Sequence, residues 1–254
     1  MRLRRSSLVA ALLVVGAVMA GAPVSSAGAQ STGATVRIGL EAPLTGDQKD
    51  IGIGMLEGAQ LAAQRLNAAG GIGGKQVEIV PIDDAADPAT GVKAATAAIA
   101  AGLDGVVGPY NSGVGAQTLP LYVAAGLVPI RLTSADSTNG LGLTLQPMTY
   151  QIAPVAAEAL TDWLDATKVA IVYDDSALYT QTVSSALRSE LEAADVTITA
   201  FEPIQPGAPI AKVVAAAAEY LAKNAPSGTR RVIVVLSDGE DTNSTRIARA
   251  IQDG

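Results

Sequence analysis

Short apolar runs alternate with longer stretches of helical spacing along most of this chain. Val36 to Leu40 is a strand-like run, left by the loop Glu41-Ala42-Pro43-Leu44-Thr45-Gly46. Met55, Ala59, Ala62 and Leu66 then recur at helical spacing, with Glu57, Gln60, Gln64 and Arg65 on the other faces and Gly70-Gly71 closing the pattern. Gln76 to Ile82 predicts a second strand. Asp87-Pro88 supplies an N-cap and first-turn pair for an Ala-rich helix running to about Ala101. A short strand at 105–108, a third helix that contains 117–125 and a strand at 127–130 complete the first series. Strands and helices alternating at this spacing predict a parallel, doubly wound sheet.

From Arg131 to Gln151 the pattern gives way to a polar, Gly- and Thr-rich connection. The rhythm resumes with a helix at 154–165, a strand at 169–173, a helix at 179–194, a strand at 196–201, a helix at 210–223, a strand at 232–236 and a helix at 244–251. The fold class is therefore α/β, with two doubly wound parallel-sheet lobes and a ligand cleft between them. Residues 30–131 form the first lobe, 132–151 the crossover and 152–254 the second lobe. Open α/β sheets bind ligands beyond the carboxyl ends of their strands, and clefts between lobes are favoured sites.

The N-terminus changes the picture of where this fold works. Arg2, Arg4 and Arg5 precede an uncharged stretch from Leu8 to Ala22, which closes on Ala27-Gly28-Ala29. That is the layout of a cleaved secretory signal over 1–29, with an apolar core too short to span a bilayer comfortably. The leader carries three of the 17 basic residues and none of the 24 acidic ones, so without it the net charge moves from −7 to −10. Nucleic acid and anionic membrane surfaces are poor partners for such a chain. It has no Cys and no His. A lipid-modified cysteine, disulfides, thiolate metal sites and the commonest general base are thus excluded, and the chain is read as exported, periplasmic or extracellular, and not a lipoprotein.

Several motifs succeed one another in a familiar order: Ile38-Gly39-Leu40 with Pro43-Leu44-Thr45-Gly46, Leu66-Asn67-Ala68-Ala69-Gly70-Gly71-Ile72, Asp83-Asp84 with Asp87-Pro88, Val107-Gly108-Pro109 with Ser112-Gly113, then Val128-Pro129-Ile130 and Thr133-Ser134-Ala135. In this the chain resembles the leucine/isoleucine/valine-binding proteins, the substrate-binding components of branched-chain amino-acid ABC transporters. The resemblance implies a type I periplasmic-binding fold with three crossings between lobes. It implies capture of an amino acid, delivery to a membrane permease, a monomer when complete, no cofactor, no nucleic acid and no enzymatic activity. The chain ends at Gly254, where a relative would return to the first lobe, so the C-terminal part of both lobes is expected to be missing.

A free amino acid presents a carboxylate and an ammonium. Carboxylates suit hydroxyls and backbone N–H groups at a helix N-terminus. Asn111-Ser112-Gly113 opens a helix, and by resemblance Ser112 falls on the family's ligand-binding serine; an N-cap serine has the same address. Ser134 and Ala135 fall on the small-hydroxyl loop. Asp136 replaces the usual Thr, and either sets an acid against the ammonium or serves as a turn residue. Gln151, beside Tyr150, stands at the start of the second lobe, where relatives place a contact. Tyr179 matches a ligand-covering aromatic, and Glu240 or Asp241 the acid that meets the ammonium. Arg131 reads as a solvated surface residue, its alternative being to answer an anionic ligand.

Two other functions compete. Val234 to Thr242 also resembles the last metal-site strand of a von Willebrand factor A domain, but Asp174-Asp175-Ser176-Ala177-Leu178 lacks the second Ser of the partner loop. An enzyme would need a nucleophile or an acid–base pair. The adjacent acids Asp83-Asp84 and Asp174-Asp175 diverge in extended chain and read as loop caps. No catalytic or metal-binding residue is assigned.

Overall fold

The computed structural model describes residues 35–204 and 231–236, together with Val214, Ala215, Ala218, Glu219 and Lys223. Its strands and helices are β1 (Val36–Ala42), α1 (Lys49–Ala68), β2 (Val77–Asp83), α2 (Pro88–Ala100), β3 (Gly105–Val107), α3 (Ser112–Ala124), β4 (Pro129–Arg131), β5 (Leu143–Thr144), α4 (Thr149–Glu158), β6 (Lys168–Asp174), α5 (Leu178–Ala193), β7 (Thr197–Ile204) and β8 (Arg231–Leu236). The expected leader, the acidic loop at 237–242 and the helix at 244–251 lie outside the described residues. Of the helix expected at 210–223, the five described positions are helical, and Lys223 and Glu219 pair across one turn at 2.6 Å.

Two parallel sheets result, in the orders β2-β1-β3-β4-β5 and β7-β6-β8. Side chains alternate across a strand, so β1 divides its residues between two layers. Ile38 and Leu40 face α1, whereas Glu41 reaches α3. On the α2 and α3 side the core is Ile82, Ala95, Ala98, Val106 and Tyr122. In the second sheet Val169 and Ile171 lie in one buried cluster with Leu187 and Leu191 of α5 and Ala153 of α4. With few aromatics available, small residues bring the layers close: a Cβ on Gly91 would sit 2.8 Å from Val114 Cγ1.

Three strands begin or end away from their expected limits because the helices before them end in the same way. After α3, Gly126 takes a positive φ while Gly126 N donates to Val123 O and Leu127 N to Tyr122 O. This is a Schellman closure, and it commits Leu127 to the helix end, so β4 starts at Pro129. The ends of α1 and α5 repeat it, with Gly71 N donating to Leu66 O and Val196 N to Leu191 O. At the first of these, the Asn67 side chain brackets Val77 by donating to its carbonyl at 2.9 Å and accepting from its N–H at 2.7 Å. That clamp sets where β2 begins.

The segment read as irregular connection is more ordered than its composition predicts. Leu143 pairs in parallel with Ile130, which adds β5 to the first sheet. A two-residue strand is too short to show periodicity. The helix expected from Pro154 starts at Thr149, because Tyr150 N donates to Asp136 Oδ1 at 3.2 Å and Met148 N to Gln151 Oε1 at 3.0 Å. These two caps satisfy first-turn donors, and after Glu158 the helix widens into a single π turn, Ala159–Trp163.

Candidate functional site

The first-sheet loops beyond the strand ends are built on acids and amides. Asp83, the last residue of β2, accepts from Leu44 N at 2.9 Å, Thr45 N at 3.1 Å, Thr45 Oγ1 at 2.7 Å and Ala85 N at 2.9 Å. Burial pushes its carboxyl up, but these donors outweigh burial and hold the pKa below its ordinary value. Asp87 caps α2 through Thr90 N at 2.7 Å. Asn111 stands at the N-cap of α3 without capping it, and its Nδ2 donates to Gln48 Oε1 at 2.8 Å.

Ser112 is buried at the first turn of α3, and Ser134 N and Ala135 N donate to its Oγ at 3.1 and 3.3 Å. Both acceptor sites of the hydroxyl are taken, which leaves its proton to be donated. Gly115 makes this approach possible, since a Cβ there would lie 2.5 Å from Thr133 Cγ2. Ser134 O in turn accepts from Thr149 N at 2.8 Å and Thr149 Oγ1 at 3.1 Å. The loop therefore joins the start of α3 to the start of α4. The second-sheet layer meets it there: Thr149 Oγ1 lies 3.5 Å from Thr182 Oγ1, and a Cβ on Gly113 would be 3.9 Å from Leu178 Cβ.

The structure thus places Ser112, Ser134, Ala135 and Asp136 at one locus. Asp136 is exposed and accepts the Tyr150 amide, and exposed Gln151 turns its Oε1 to the Met148 amide. Tyr179 is half-buried at the second position of α5, next to Leu178. Glu240 and Asp241 lie outside the described residues. In the competing metal-site reading, Asp174 Oδ1 is occupied by Ser176 N at 2.8 Å and Ser176 Oγ at 2.6 Å, and no group of three potential ligands occurs among the described residues.

Two charged residues depart from their expected places. Arg131, read as a solvated surface side chain, is 1% exposed. It lies two residues from buried Pro129 in β4, and residues of like parity share a face. Its Nη1 contacts Thr133 O at 2.8 Å, Thr133 Oγ1 at 3.0 Å, Thr138 Oγ1 at 3.1 Å and Met148 Sδ at 3.4 Å, while Nε donates to Leu141 O at 3.2 Å. Burial lowers its pKa from the ordinary value.

Glu41, read as the first residue of a loop, belongs to β1 and is completely buried beside Asp84. Thr118 Oγ1 donates to its Oε2 at 3.1 Å and the Tyr122 hydroxyl lies close to the same carboxylate without a well-formed hydrogen bond, while Asp84 Oδ2 has no hydrogen-bond partner. Burial, reinforced by Asp84, pushes the Glu41 pKa to about 8 despite opposing contributions from Thr118 and Tyr122. Burial also raises Asp84 to about 6, although the Ala86 amide opposes it. Asp84 is therefore only half satisfied by its turn, against the expectation of a simple loop cap. Parity carried the signal for Glu41: Leu40 and Ala42 point one way and the acid the other.

An apolar groove of about 390 Å³ lies on the α1 face of the first sheet, lined by residues that include Leu40, Met55, Leu66, Val77 and Leu132. It contains none of the hydroxyl and amide groups described above. No helix among the described residues is long and apolar enough to cross a membrane.

A hydroxyl-bearing helix start on one parallel sheet is brought against a helix start on a second, which is the layout of a two-sheet α/β fold. The sequence pattern of the periplasmic binding proteins matches residues 35–249, and the chain belongs to that family. It is 35% identical over 179 residues to a Leu/Ile/Val-binding protein of Rhizobium johnstonii, covering 68% of this chain and 48% of the relative. A Leu/Ile/Val-binding protein homologue of Brucella melitensis is 30% identical over 185 residues, 70% of this chain and 49% of the relative. The chain thus spans about half the length of these curated relatives. Among solved structures, the substrate-binding protein of a branched-chain amino acid transporter from Streptococcus pneumoniae, in complex with isoleucine, shares the fold at TM-score 0.63 and 22% identity over 80% of this chain and 64% of that one. A solute-binding protein from Rhodopseudomonas palustris, in complex with p-hydroxybenzoic acid, gives TM-score 0.65 and 17% identity over 80% and 54%.

Proposed function

We propose that this chain captures a branched aliphatic amino acid outside the cytoplasm and delivers it to the permease of an ABC transporter, without catalysing a reaction. The observation that carries the proposal is Ser112, whose hydroxyl is fixed by two loop amides at the start of α3 with its proton left to donate. The helix N-terminus adds a positive end to the same place. A carboxylate there would accept from Ser112, and the loop from Ser134 to Asp136 would border it. Tyr179 and Gln151 would border it from the second-sheet side, and Glu240 or Asp241 would meet the ammonium.

The ligand class rests on the curated relatives, which are named for leucine, isoleucine and valine. Export rests on the leader read at 1–29 and on the family. The acidic net charge argues against nucleic acid as a partner. Thermal shift against a panel of amino acids, amides, other carboxylates, Mg²⁺ and Ca²⁺ tests the reading. A ligand at 100 times its Kd stabilises by about 2.7 kcal/mol, so leucine, isoleucine or valine should raise the Tm by several degrees. A shift with the cations and none with any amino acid would refute it.

A further inference from the structure

Arg131 is, among the described residues, a buried charge without a counter-charge. Among the described residues no carboxylate lies within ion-pair distance of it, and its contacts are all neutral: the carbonyls of Leu141 and Thr133, the hydroxyls of Thr133 and Thr138, and the Met148 sulfur. The acid nearest in sequence, Asp136, is exposed and gives an oxygen to the Tyr150 amide. Taking a guanidinium out of water without an ionic partner is costly, and an apolar side chain of similar size often fills such a place at no loss of stability. The arrangement thus maintains a positive charge at a position that packing alone would give to a methionine.

The position of that charge gives it a use. Arg131 Nη1 grips Thr133, the residue directly before the two amides that hold Ser112 Oγ. It also reaches Thr138, and Nε reaches Leu141, so the guanidinium braces the whole loop from behind. An anion accepting from Ser112 would interact with it through protein rather than through water, where charges are weakly screened.

Resting on the function proposed above, we infer that Arg131 is a specificity-determining residue, the fixed positive charge that selects ligands bearing a carboxylate at Ser112. It acts through the field behind the loop and does not touch the ligand. Losing a fixed charge that acts through protein on the bound carboxylate should change its affinity by about tenfold.

The test compares leucine with leucinamide by calorimetry on the wild type, Arg131→Met, Arg131→Gln and Arg131→Lys. The wild type should favour leucine. Methionine or glutamine should compress the leucine-to-leucinamide affinity ratio by about tenfold or more. Lysine should weaken both ligands through the lost fork of donors yet keep the ratio, whereas a purely structural role would lower both affinities in every variant and leave each ratio unchanged. An unchanged ratio in a folded neutral variant overturns the inference and leaves the proposed function standing. Failure of both neutral variants to fold, with the lysine variant folded, assigns Arg131 to structure and also overturns it. A wild type that binds neither leucine nor any other amino acid removes the functional reading, and this inference with it.

Discussion

Replacing Glu41 by Gln should make the protein more stable in mild alkali and flatten its stability between pH 5 and 8. Below about pH 4.5 the folded and unfolded chains both hold the Glu41 proton. Between that value and the folded pKa of about 8, the unfolded chain has released the proton while the folded chain keeps it. Folding therefore loses about 1.4 kcal/mol per pH unit from this group as pH rises, approaching 5 kcal/mol over the window. Against a typical total of 5–15 kcal/mol that is a large share. The groups facing the carboxylate are Asp84 from the loop after β2 and Thr118 and Tyr122 from α3. Asp84, raised to about 6, steepens the fall at the acidic end. Glutamine has the same size and never ionises.

Urea unfolding of both proteins from pH 5 to 9 gives the measurement, and the difference between the curves cancels every titrating group that does not couple to Glu41. The two stabilities should lie close together at pH 5 and diverge to a few kcal/mol in favour of the variant by pH 8. Parallel curves, or a wild type that gains stability relative to the variant between pH 5 and 8, would refute the assignment of a proton to buried Glu41.

Ser112→Ala should weaken amino-acid binding by roughly 1–2 kcal/mol, the loss of one hydrogen bond to a charged group; unchanged affinity by calorimetry in a folded variant would reduce Ser112 to a brace for the 134–135 amides. Asn67→Ala strips the clamp from Val77, whose side chain is buried, and should cost about 1–3 kcal/mol in chemical denaturation. A loss under a few tenths would show that water replaces the side chain.

The fold was legible wherever periodicity extended over a full element. Met55, Ala59, Ala62 and Leu66 do line one face of α1, along the groove against β1 and β2. Asp87-Pro88 does start α2, with Thr90 as the capped donor. Legibility failed where a structure depends on partners distant in sequence. The early start of α4 needs Asp136 to accept from Tyr150, fourteen residues on, and the local pattern saw only Pro154 as a first-turn residue. β5 exists because Leu143 finds Ile130, which no local preference specifies.

The site divides along the same line. Ser112 and the loop at 134–136 could be placed from ordered motifs, because the turn and the helix start that hold them are local in chain. The charges behind them could not. An arginine beside a polar loop and a glutamate at a strand end each read as surface residues by type, since burying either without a partner is unfavourable. Strand parity points the other way in both cases: Arg131 shares a face with buried Pro129, and Glu41 is directed against α3. The two answer burial differently. Glu41 can shed its charge by holding a proton, and burial raises its pKa accordingly. A guanidinium keeps its proton at any pH the protein meets, so Arg131 retains its charge and surrounds it with carbonyls and hydroxyls. Burial thus favours the neutral form of Glu41, whereas Arg131 keeps its charge behind the loop where, under the proposed function, a carboxylate ligand would lie.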